Sequence, residues 1–104
     1  MMEDAERTVY EDGIESARDH YRCEPGTKRA VDTGEITMGE LALSFCVYEY
    51  MSRQEDPGPK HFGDAISFVS NIPEFEGLEA KAVFDKVSKV KRVLLRSLFR
   101  KLII

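Results

Sequence analysis

The chain has 104 residues, of which 42 % are hydrophobic and 33 % charged, with a net charge of −4. That balance fits one globular domain, residues 1–104, and argues against a disordered chain. The eight-residue uncharged run at residues 41–48 is far short of the roughly 20 a membrane span needs. The acidic start MMEDAERTVYEDG has no apolar core, so neither a signal nor a transit peptide is expected and the expected location is cytoplasmic.

Taken in chain order, the sequence predicts a small all-α bundle of about four helices. Residues 3–22 form the first, with Tyr10, Ile14, Ala17 and Tyr21 on one thin apolar stripe. Gly13 weakens this helix by up to about 1 kcal/mol relative to alanine. Glu24-Pro25-Gly26 stops it, because the residue before a proline avoids helical geometry. Residues 24–36 read as a connector, with a marginal strand pair around Val31 and Ile36 as an alternative.

Thr37 and Glu40 have the spacing of a capping box, which starts a second helix over 38–53. Its apolar residues cover most of the circumference, so it is expected at the centre of the bundle. Pro57-Gly58-Pro59 breaks the chain, and Pro59 suits the first turn of a third helix over 60–71. Phe75 is expected to plug the core from the bend that follows.

The last helix is predicted over 78–102 and is long and amphipathic. With Val87 at zero, Ala80, Val83, Phe84, Val90, Leu94, Leu95, Leu98 and Leu102 fall within an arc of about 140°. Lys89, Arg92, Arg96 and Arg100 lie on the opposite side. Short joints between helices favour antiparallel packing of neighbours.

Charge is unevenly placed. Residues 1–80 hold 18 acids and 7 bases, a net of −11, and residues 81–104 hold 8 bases and 1 acid, a net of +7. The plainest consequence is docking of the basic segment on the acidic body of the same chain. Such a separation also steers partners. On the first helix, Asp4, Glu11, Asp12, Glu15 and Asp19 form an acidic strip between about 60° and 160° from Ile14. Its like-charge pairs one turn apart each cost a few tenths of a kcal/mol, and Arg18 and Arg22 partly neutralise it.

A negative strip of this kind can occupy a cationic groove that normally holds nucleic acid. The basic face of the last helix has three alternative uses. It can contact nucleic-acid phosphates, lie on an anionic membrane, or dock on an acidic protein. The terminal Leu102, Ile103 and Ile104 are poorly suited to water and predict packing on this chain or on a second copy.

Motifs for chemistry are sparse. Cys23, Cys46, His20 and His61 show no zinc-ligand spacing, so no metal or cofactor is expected. Cys46 reads as a core residue and a Cys23–Cys46 bridge as unfavoured in a reducing compartment. Asp32-Thr33-Gly34 matches the catalytic tripeptide of aspartic proteases, but the match stops at three residues in a helical context and reads as a turn. No nucleophile–base set or glycine-rich phosphate loop occurs.

The reading is therefore a non-enzymatic protein that binds another protein, one with a cationic surface. In size and acidity it resembles the small inhibitors encoded by phages and mobile elements, such as anti-CRISPR and anti-restriction proteins. That resemblance implies inhibition or modulation of a nucleic-acid-handling complex and transfers no site residue. The alternatives are a nucleic-acid-binding regulator that uses the basic helix, and an immunity protein or antitoxin.

Overall fold

A computed structural model describes residues 4–55, 61–75 and 77–103, with side chains through Leu98. Its elements are α1 Asp4–Cys23, α2 Pro25–Asp32, α3 Met38–Ser52, α4 Phe62–Ser70 and α5 Ala80–Ile103, with a 3₁₀ turn at Pro73–Phe75 before α5. Among the described residues there is no strand, and the architecture is a small all-α bundle.

α3 starts where its cap places it. Glu40 N–H donates to Thr37 Oγ1 at 3.0 Å, and Thr37 N–H donates to Glu40 Oε1 at 2.9 Å. Residues Glu40, Leu41, Ala42, Leu43, Ser44, Cys46 and Val47 are buried, so the first half of α3 is covered nearly all round. The buried Ser44 hydroxyl is satisfied by donating to the Glu40 carbonyl at 2.9 Å.

Around α3 the core divides in two. Leu43, Cys46 and Val47 join Val9 of α1, Ala65, Ile66 and Val69 of α4, and Val83 and Val87 of α5. Leu41 and Ala42 join Ala17 of α1, Ala30 of α2, and Val90 and Val93 of α5. Phe75 packs half-buried on the first cluster, as its place in the bend suggested.

The connector differs from expectation. Residues 25–32 form a fifth helix, where a strand pair had been an alternative. Pro25 lies at its first position, where a missing N–H costs nothing. Ala30 and Thr27 give it a buried side against α5 and α1. Its exit explains Asp32-Thr33-Gly34: Thr33 is the C-cap and Gly34, at φ 81°, follows in the left-handed region that glycine enters without strain. Pro59, assigned above to the first turn of the third helix, lies outside the described residues.

Two helices are rotated from their sequence stripes. α1 buries Val9, Gly13 and Ala17, and leaves Tyr10, Ile14 and Tyr21 half-buried at the edge. The reason is Gly13. A Cβ there would stand 2.8 Å from Cys46 Cα and 2.9 Å from Cys46 N. The missing side chain thus lets α1 lie directly on the backbone of α3. α5 buries Val83, Val87, Val90 and Val93, whereas Phe84, Leu95 and Leu98 are exposed. Its contact with α2 turns it toward Val93, and Gly26 of α2 sits against Ser97 with no room for a Cβ.

Candidate functional site

The acidic strip lies on the side of α1 roughly opposite Val9, Gly13 and Ala17, with Asp12 at its edge within reach of the end of α3. The structure separates its members by their partners. Asp4 accepts from Arg7 at 3.5 Å, Asp19 pairs with Arg22, and Asp12 pairs with Arg53, which also reaches Glu49 at 3.4 Å. Glu11 and Glu15 are exposed, one turn apart, and have no ion pair among the described residues. Neither Arg7, four residues before Glu11, nor Arg18, three residues after Glu15, forms an ion pair with them. Of the strip, therefore, only Glu11 and Glu15 present unneutralised charge.

The basic face of α5 is divided in the same way. Lys89 Nζ lies 2.8 Å from Glu40 Oε2 and Lys86 Nζ 3.6 Å from it. Arg96 donates to both carboxylate oxygens of Glu35, at 2.6 and 2.7 Å. Lys89 and Arg96 are thus not on a free outer row, as the helical projection had them. They tie α5 to the start of α3 and to the loop before it. Arg92 is exposed without an ion pair among the described residues. The side chains of Arg100, Leu102, Ile103 and Ile104 lie outside the described residues.

Among the described residues, Glu40 is the buried charged side chain. Burial pushes its carboxyl up, but the Lys89 hydrogen bond, the Thr37 N–H and the nearby Lys89 and Lys86 charges outweigh that and hold it below the ordinary glutamate range. One carboxylate therefore caps α3 through one oxygen and clasps α5 through the other. The capping box was readable from sequence. The clasp was not, because Lys86 and Lys89 lie 46 and 49 residues away.

Asp32, His20 and Cys46 make contacts within the fold. Asp32 accepts from the Tyr21 hydroxyl and from Lys28 Nζ, each at 2.7 Å, and the Lys28 hydrogen bond holds its carboxyl below the usual range. It joins α2 to the end of α1. His20 Nδ1 lies 3.1 Å from the hydroxyl of buried Thr27, and its ring rests 5.2 Å from that of Phe45. Burial pushes the Cys46 thiol up to about 12, which keeps it un-ionised and inert. Cys23 is exposed, and both cysteines are free thiols. Among the described residues no group of three His, Cys, Asp or Glu could hold a metal ion, and no helix is long and apolar enough to cross a membrane.

The hydrophobic projection missed one surface. Phe84, Leu95 and Leu98 of α5 are 49, 44 and 51 % exposed, and among them only Phe84 makes an aromatic contact, edge-on with Phe62 at 5.8 Å. The chain matches no family model, and no curated protein or solved structure matches it.

Proposed function

We propose that the protein is a small, non-enzymatic, cytoplasmic interaction protein that binds a partner with a cationic surface and thereby inhibits or modulates a nucleic-acid-handling protein complex. The observation that carries this reading is the pair Glu11 and Glu15. Every other acid of the strip has a cation of its own chain beside it. These two stand exposed at i, i+4, an arrangement that costs an isolated helix a few tenths of a kcal/mol. A cationic partner converts that repulsion into attraction and accelerates encounter.

The nucleic-acid reading is weaker because its row of cations is interrupted: Lys89 and Arg96 are engaged by Glu40 and Glu35. The last helix serves instead, on this reading, for association with a second copy.

Affinity capture from the source cells tests the proposal, with wild type and the Glu11→Lys/Glu15→Lys variant as paired baits. The wild type should retain one nucleic-acid-handling protein complex in stoichiometric amount, and less of it as salt rises, since exposed charges are screened over about 8 Å at physiological ionic strength. The variant should bind that complex at least about tenfold more slowly. Capture of nucleic acid without protein, or equal capture by the two baits, would overturn the reading.

A further inference from the structure

The outward side of α5 has a regular spacing of its own. Phe84, Ser88, Lys91, Leu95 and Leu98 follow one another at intervals of four, three, four and three residues. Residues so spaced share one face and have the geometry of a two-helix coil seam, here apolar at Phe84, Leu95 and Leu98 and polar at Ser88 and Lys91. The seam lies beside the buried valines and not among them: Phe84, Lys91, Leu95 and Leu98 are exposed and Ser88 is half-buried. Among the described residues the bundle thus buries one side of α5 and leaves a second, coil-like side about half exposed.

The charges beside the seam indicate what covers it. Asp85 and Arg92 flank it on its outer edge, both exposed and neither in an ion pair among the described residues. They are two turns apart, about 10 Å along the axis, too far to pair within one helix. A parallel second copy would set Lys91 against Lys91 and would leave Asp85 and Arg92 on opposite sides of the coil from their counterparts, with no opposite charge to meet. An antiparallel copy, with its two-fold axis between residues 89 and 90, brings Asp85 of each chain to the same edge as Arg92 of the other and about 3 Å from level with it along the axis, within reach of the arginine side chain. It also sets Phe84 against Leu95, Ser88 against Lys91, and Lys81 against Leu98, whose exposed surface the lysine stem can cover. The small Ser88 at the centre leaves room for the Lys91 stem.

We infer that α5 pairs with α5 of a second copy in an antiparallel two-fold dimer whose seam is Phe84, Ser88, Lys91, Leu95 and Leu98 and whose register is set by reciprocal Asp85–Arg92 pairs. Such an interface is self-complementary, as two-fold symmetry requires. The inference makes specific the self-association in the proposed function and is independent of the acidic face of α1.

Light scattering and sedimentation under reducing conditions test it, the reductant excluding a bridge through exposed Cys23. The wild type should have twice the single-chain mass of 11.9 kDa at micromolar concentration. Asp85→Arg and Arg92→Asp each create like-charge contacts at both symmetric sites and should weaken the dimer by at least about tenfold. The double swap Asp85→Arg/Arg92→Asp should restore it, because the pairs re-form with their signs exchanged. Leu95→Glu should abolish it, with helical content unchanged by circular dichroism, and so serves even if a charge variant folds poorly. A wild-type mass of one chain up to about 100 µM overturns the dimer and with it the self-association reading, while partner capture through Glu11 and Glu15 is unaffected. A wild-type dimer indifferent to the single swaps, or not restored by the double swap, overturns this interface while self-association stands.

Discussion

α3 and α5 present the same sequence feature and meet different fates. Both carry more apolar surface than a single helix–helix contact can cover. α3 lies between α1, α4 and α5, so its surplus is buried from Leu41 through Val47, with Phe45 alone half-covered. α5 is packed on one flank by α3, α4 and α2, and its surplus at Phe84, Leu95 and Leu98 meets solvent. Apolar content therefore measures a demand for cover, and topology decides whether the chain itself meets it. At the rim of the bundle, α5 has no described helix packed over that side.

The first way to break this contrast is to remove cover from α3. Leu43 is 1 % exposed within the larger core cluster. Leu43→Ala should destabilise by about 2–5 kcal/mol, the sum of lost transfer energy and the cavity left behind. In a 104-residue domain that is a large share of the total stability. A shift in the urea midpoint equivalent to less than about 1 kcal/mol would show that α3 is not the centre of the core.

The second acts where α1 reaches α3. Helix propensity alone predicts that Gly13→Ala stabilises by up to about 1 kcal/mol. The structure predicts the opposite sign, because the new methyl would meet the Cys46 backbone at 2.8–2.9 Å and a backbone cannot rotate aside. A net loss of about 1–3 kcal/mol is expected from overpacking. Any gain in thermal midpoint would place α1 farther from α3 than the structure does.

Glu40 sharpens the contrast from the α5 side, since it fastens the one flank of α5 that the bundle covers. Its carboxyl lies below the ordinary range when folded, so its contribution to stability is present above the unfolded-state pKa and is lost as pH falls through the folded value. Stability should therefore fall through the acid range, below about pH 5. Glu40→Gln keeps an oxygen for the Thr37 N–H but loses the charge that faces Lys89 and Lys86. The variant should lose about 1 kcal/mol near neutrality and show a shallower decline on acidification. Urea midpoints measured for both proteins across that range give the comparison, and parallel curves would mean that Glu40 does not titrate against folding.

The sequence revealed what depends on short range. The capping box at Thr37 and Glu40, the stop at Pro25 and the all-round apolar character of α3 are local facts, and the structure retains them. The orientation of α1 and α5 was not legible. Gly13 looks like a defect until Cys46, 33 residues on, is seen against it. The α5 arc spans more of the helix than the bundle covers, and periodicity cannot say which edge is left outside. The same limit applies to charge. The strip on α1 is visible as a strip, but the cation that pairs with Asp12 is Arg53, 41 residues on at the end of α3, and that pairing is not a local fact.

The smallest expected effect is at Leu95, and it is the most discriminating. Leu95 is as apolar as Leu43, yet 44 % exposed. Leu95→Gln removes little buried area from a single chain and keeps a good helix former in mid-helix. At a concentration dilute enough to keep the chain single, its folding free energy should stay within about 0.5 kcal/mol of wild type. The two proteins should diverge as concentration rises, because a second copy that binds only the folded chain stabilises it by mass action, and only where Leu95 can pack on Phe84. The measurement is the thermal midpoint of each protein over a hundredfold range of concentration. A large loss at every concentration would show that Leu95 is covered within its own chain, and α5 would then resemble α3.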